Sequence, residues 1–275
     1  MSSLLSFRRT DQTTVPRAEG SQSVDSLFLP AVGGHIRWID IPGSTTGPPH
    51  VYVHGLGCAG SADFVHIATQ PSLAGHRAVI VDLLGHGYSD RPADFSYSLH
   101  DHAQTVADVL DHLGIRQAVL VGHSMGGAIA IILASEREGL FSRVIAAEPN
   151  WHAGGGLFSK PIAQYSESEF LDHGFDLQLN RYAPTYAARV RVTDPRALYR
   201  SAVGLIQATE PDMAERFLTL PHRRALIVGA HSRPYEEEDV VRAAGIPVIG
   251  VPDAGHDMMH ENPQGFAAAI AHSLR

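Results

Sequence analysis

Gly122-His123-Ser124-Met125-Gly126, with Gly127 next, sets a serine between two glycines at the spacing G-x-S-x-G. A serine hydroxyl is a poor nucleophile until a neighbouring base takes its proton. A glycine on either side lets the chain bend sharply enough to lift the hydroxyl clear of a sheet edge, where a side chain at Gly122 or Gly126 would crowd the turn. The chemistry served by such a turn is attack on a carbonyl carbon, with negative charge building on the carbonyl oxygen. Histidine is the usual base, but the chain holds 17 of them, so position must single one out. Two further groupings contain ligand-type residues, His100-Asp101-His102 and His256, Asp257 and His260. The first reads as a polar helix start and the second lacks a third ligand of defined geometry, so neither a metal nor a cofactor is expected. Glu236, Glu237, Glu238 and Asp239 form a run of carboxylates suited to a solvated helix start.

The serine turn needs a strand before it and a helix after it. Residues 118–122 form a continuous apolar run, and 125–135 are small and apolar, which predicts that pair. Other β-rich runs fall at 50–54, 78–83, 143–147, 225–228 and 247–251. Residues 27–41 read as a strand pair turning at 32–35. Helical spacing appears at 99–113, 236–244 and 263–274. Strands alternate with helices, and several strands are apolar throughout. The expected fold class is therefore α/β, with a mostly parallel, doubly wound sheet covered on both faces. Residues 149–221 break the alternation. They carry Gly154-Gly155-Gly156 and scattered aromatics, and are expected to form a helical cap inserted into a core made of 21–148 and 222–275.

The chain has 275 residues, enough for one large α/β domain. Its hydrophobic fraction is 44% and its charged fraction 18%, which excludes disorder throughout. The formal charge of −8 argues against a nucleic-acid partner, which needs a basic surface. Cys58, the single cysteine, allows neither an intramolecular disulfide nor a multi-cysteine zinc site, and reads as a small buried residue. No apolar run is long enough to predict a membrane span. Residues 1–20 lack an apolar stretch after Arg8 and Arg9, so they read as a flexible tail rather than a signal peptide, with the cytoplasm as the default location. Low charge density leaves a homodimer open.

Three motifs in order give the chain a specific resemblance. His54-Gly55-Leu56-Gly57 resembles the oxyanion loop after strand three of α/β-hydrolase-fold proteins. Asp82 to Ser89 (DLLGHGYS) resembles their loop after strand four, and Gly122 to Gly127 their nucleophile elbow. The resemblance runs over roughly 27–274 and implies a triad in the order Ser, acid, His. It assigns the base to His256, just after the last predicted strand; His260, four residues on, falls in the following helix. In the commonest form of this fold an aspartate follows strand seven, but here Ser232 stands in its place. Haloalkane dehalogenases and some other members take the acid from the end of strand six, and Glu148 occupies that position, 24 residues after Ser124. The carboxylates at 236–239 remain the competing acids. The fold also implies that the backbone amides of Leu56 and Met125 form an oxyanion hole. His54, Gly55, His123 and Trp151 are possible pocket residues, and Asp82 is structural.

Together these residues predict a serine hydrolase acting on a small-molecule ester or lactone through Ser124, His256 and Glu148. A C–C bond hydrolase with the same triad and a non-catalytic small-ligand receptor are the alternatives. Dehalogenation is disfavoured, because dehalogenases carry a carboxylate at the elbow.

Overall fold

The computed structural model describes residues 23–207, 209 and 211–275. The expected tail at 1–20 lies outside them. Eight strands form one sheet: β1 (Ser23–Leu29), β2 (Gly34–Ile41), β3 (His50–Val53), β4 (Ala78–Asp82), β5 (Ala118–His123), β6 (Phe141–Ala147), β7 (Arg223–Gly229) and β8 (Val248–Val251). Their order is β1-β2-β4-β3-β5-β6-β7-β8. β1 and β2 pair antiparallel, β2 runs antiparallel to β4, and every other pairing is parallel. The turn between β1 and β2 lies at 30–33, two residues earlier than expected, because Gly34 and His35 already pair with Leu29 and Phe28.

The apolar strands are buried on both faces. Val51 and Val53 of β3 face one core with Leu120 of β5, while Tyr52 faces the other with Val119 and Val121. The first core is closed by the helices Leu99–His112 and Met125–Glu136, the second by Phe64, Ile67 and the helix Pro263–Ser273. Parallel strands need exactly this double cover, since crossover helices occupy both sides. No helix among the described residues is long and apolar enough to cross a membrane.

The strand order reverses at the β3–β5 pair: from β3 the chain moves to β4 on one side, then returns to β5 on the other. The loops leaving the carboxyl ends of β3 and β5 therefore diverge and open a crevice, the usual ligand position in an open α/β sheet. Glycines allow the close approaches there. A Cβ on Gly126 would lie 2.2 Å from the Val53 carbonyl oxygen, and one on Gly122 2.2 Å from that of Gly126.

Between β6 and β7 the described residues contain no strand. The longest helices there are Pro184–Val190, Pro195–Ile206 and Met213–Thr219, the last two N-capped by Asp194 and Asp212. Tyr186 donates to the Leu56 carbonyl at 2.8 Å and Arg200 to the Phe95 carbonyl at 2.7 Å, which ties this segment down over the loops of the sheet.

Gly122→Ala is expected to lower stability by about 3 kcal/mol through overpacking at the turn. Urea unfolding checks this: the midpoint should fall at unchanged slope, and a wild-type midpoint would contradict it.

Candidate active site

Ser124 stands at the bend between β5 and the helix Met125–Glu136, with φ 54° and ψ −121°. This is strained ground for a residue with a side chain. The conformation is held because the Ser124 N–H donates to the Ala147 carbonyl at the end of β6, at 2.9 Å, while its own carbonyl accepts from Gly127 at 2.9 Å. Gly55 packs against the same residue: a Cβ there would lie 3.2 Å from that of Ser124. The loop carrying Leu56 thus reaches the serine from the β3 side, and the helix beginning at Met125 reaches it from the other.

Glu148 follows β6 directly, at φ 40°. Its N–H donates to the Ile227 carbonyl at 3.0 Å, so the backbone stays locked to β7 while the side chain turns inward. One carboxylate oxygen accepts the Gly229 N–H at 2.8 Å. The other lies 2.7 Å from His256 Nδ1, and His256 Nε2 lies 3.1 Å from the Ser124 hydroxyl. Burial pushes the Glu148 pKa up, but the hydrogen bond and charge of His256, the Gly229 amide and the Ser232 hydroxyl outweigh it and hold the carboxyl below its ordinary value. An ionised carboxylate can only accept, so the His256 proton sits on Nδ1 and leaves Nε2 free to accept from the serine. The three side chains form a line along which a proton can leave the hydroxyl.

His123 supports the histidine loop. Its Nε2 donates to the His256 carbonyl at 2.9 Å, and the two rings lie 4.7 Å apart. Burial first, and then the nearby His256, hold the His123 pKa down to about 4, so it acts as a neutral strut.

A cavity of about 1140 Å³ opens over this line. Gly55, Leu56, His123, Ser124, Glu148 and His256 border it, together with Phe158, Tyr186 and Leu205 from the helical segment and Tyr235 from beyond β7. Cys58, buried as expected, also contributes to the wall.

Two residues expected near the pocket are elsewhere. His54 is fully buried, donates from Nδ1 to the Gly55 carbonyl at 2.8 Å and accepts the Leu83 N–H at 3.1 Å, which clamps the ends of β3 and β4 together. Trp151 is buried in the core against Phe217, at a ring separation of 5.4 Å, and does not line the cavity, although Asn150 before it does. None of Glu236, Glu237, Glu238 or Asp239 lines the cavity. The helix there starts only at Glu238, which pairs with Arg233 and Arg242, while Glu237 accepts from His152 at 2.9 Å. The helix start at His100-Asp101-His102 is polar only in part, since His102 is buried against Ser201 at 3.3 Å. Among the described residues no group of histidine, cysteine and carboxylate side chains has the makings of a metal site. Asp82 is structural, accepting from Ser61 N–H at 2.8 Å, its hydroxyl at 2.9 Å and Tyr88 N–H at 2.9 Å.

One cluster went unread in the sequence. Arg189, in the helix Pro184–Val190, reaches across the cavity wall to Asp63 at 3.0 Å and grips both oxygens of Asp257, the residue after His256. Asp63 is fully buried and also meets His260 Nε2 at 3.0 Å. Burial raises the Asp63 pKa, but His260 and Arg189 overcome this and bring it to about 2.

A family profile described as the alpha/beta hydrolase fold matches residues 48–225. The chain belongs to this family. Among alpha/beta hydrolases it is similar to haloalkane dehalogenase 2 of Mycobacterium tuberculosis, with 25% identity over 90% of this chain and 93% of the relative. It also shares 35% identity with 2-hydroxymuconate semialdehyde hydrolase of a Pseudomonas species, over 58% of this chain and 51% of that protein. In fold it resembles an esterase of Exiguobacterium antarcticum, with a TM-score of 0.74, 20% identity, and coverage of 91% of this chain and 99% of that one.

Because folding lowers the Asp63 pKa, the stability this group supplies is present above its ordinary pKa near 3.9 and is lost as pH falls towards about 2. Asp63→Asn is therefore expected to cost about 3 kcal/mol at pH 7 by leaving buried charge uncompensated, with a smaller deficit at pH 3. Denaturant unfolding at both pH values measures it; an equal deficit at pH 7 and pH 3 would contradict this assignment.

Proposed function

We propose that this alpha/beta hydrolase is a serine hydrolase that cleaves a carboxylic ester or lactone of a small molecule. The observation that carries the reading is the unbroken line from the Ser124 hydroxyl through His256 to the Glu148 carboxylate, at 3.1 and 2.7 Å. Ser124 attacks the carbonyl carbon as His256 Nε2 takes its proton. Glu148 keeps the imidazole in the required tautomer and stabilises the imidazolium that forms. The amides of Leu56 and Met125 receive the oxyanion, a contribution of roughly 3–4 kcal/mol per donor. His256 then returns the proton to the leaving alkoxide, which departs from an ester and stays tethered to the acyl group from a lactone. Water, deprotonated by the same nitrogen, attacks the acyl-serine; the tetrahedral intermediate collapses to free the acid as His256 returns the proton to the departing Ser124 oxygen. No cofactor takes part in these steps.

The similarity to a haloalkane dehalogenase does not extend to the nucleophile. A dehalogenase displaces halide with a carboxylate at the elbow, whereas Ser124 stands there in this chain.

Ser124→Ala should reduce hydrolysis of 4-nitrophenyl esters by about 10⁴-fold or more, and Glu148→Gln should lower kcat by about 10²–10⁴-fold with KM little changed. Steady-state kinetics on folded variants tests both. Undiminished turnover by Ser124→Ala would end the proposal. Full activity in Glu148→Gln would remove Glu148 from the triad. Wild-type protein inactive on esters and lactones but active on a vinylogous diketone would move the reaction to C–C bonds.

A further inference from the structure

The charge around the cavity speaks to which esters can enter. Among the described residues lining it, Arg189 is the one lysine or arginine. Its guanidinium is already engaged on two edges, by Asp63 at 3.0 Å and by both oxygens of Asp257, and Tyr186 lies 5.3 Å from its centre. Two carboxylates face one guanidinium there, and His260, another nitrogen base on that wall, is itself taken up by Asp63 at 3.0 Å. Glu261, whose carboxylate accepts from the Gly255 amide, and Glu148 border the same cavity. Leu56, Leu157, Phe158 and Leu205 give the rest of the wall an apolar stretch, and its other polar side chains, Asn150, Ser159, Thr185 and Ser232 among them, are uncharged.

From this we infer that the site takes esters whose larger part is apolar and uncharged, and turns away esters carrying a second, free carboxylate. The inference rests on the hydrolase reading above and narrows its substrate class. A carboxylate entering the cavity gives up its hydration and finds no unspent cation in the wall. To reach Arg189 it must displace Asp257, which leaves that aspartate without its partner and only exchanges one unpaired anion for another. An uncharged chain meets neither cost, and each methylene it buries against the apolar wall contributes up to about 0.8 kcal/mol. Arg189 thus sets specificity by being occupied: it closes the wall without offering an anion a place to bind.

The test compares three substrates of one chain length: 4-nitrophenyl octanoate, the mono-4-nitrophenyl ester of suberic acid, and its methyl-capped diester. The octanoate and the methyl-capped diester should be hydrolysed with kcat/KM within about tenfold of each other at pH 7.5, and the free acid at least 100-fold more slowly than the methyl-capped diester. In Asp257→Asn, which releases one side of Arg189, the gap between the free acid and the methyl-capped diester should shrink at least tenfold. Turnover of the free acid within threefold of the methyl-capped diester overturns the inference and leaves the hydrolase reading standing. So does a methyl-capped diester as slow as the acid, since bulk or polarity would then be the barrier. If none of the three is hydrolysed, this inference falls, and the hydrolase reading falls with it only if lactones are inert as well.

Discussion

The hydrogen bond between the Glu148 carboxylate and His256 Nδ1, 2.7 Å long, is the contact on which the rest of the site depends. It fixes which nitrogen carries the proton and so which nitrogen faces Ser124. A buried carboxylate is costly to ionise on its own. This one stays charged because the Gly229 amide and the Ser232 hydroxyl share it with the imidazole. The register of β6 against β7 brings these donors together: Ala147 pairs with Ile227, so residue 148 emerges beside residue 229. The pairing of Gly229 with Val251 then carries β8 alongside, and its loop brings His256 over the same edge. A slip in either pairing would separate the carboxylate from the imidazole.

The helical segment after β6 is joined to this edge by polar contacts as well as packing. Tyr186 holds the Leu56 carbonyl, Arg189 holds Asp257 beside His256, and Tyr235 donates to the Pro149 carbonyl at 2.8 Å. The cavity wall is thus tied by polar contacts to the loops that carry the reacting groups, while Leu56, Leu157, Phe158 and Leu205 supply apolar surface.

Much of this arrangement was legible in the sequence. The elbow showed itself because only glycine tolerates the approaches at 122 and 126, and the strand before it and helix after it have distinct apolar patterns. The double-faced sheet followed from strands apolar at every position. Glu148 was reached only through the resemblance to hydrolases that carry the acid after strand six, and Ser232 as a departure from the commoner pattern, although its contact with the carboxylate was not foreseen. Arg189 and Asp63 were not legible: they lie 126 residues apart, and nothing local marks an arginine on a short helix as the partner of a buried aspartate. Trp151 and His54 show the opposite error. Adjacency to Glu148 suggested the cavity for Trp151, and membership of the oxyanion-loop motif suggested it for His54, but both side chains are buried in the core.

The most direct test is the protonation pattern of the imidazoles, read by long-range ¹H–¹⁵N NMR on protein labelled in histidine, at a pH where His256 is neutral. The account predicts that His256 carries its proton on Nδ1, facing Glu148, while its neighbour His123 carries one on Nε2, facing the His256 carbonyl. A neutral His256 with its proton on Nε2 would leave no acceptor for the Ser124 hydroxyl and would contradict the account.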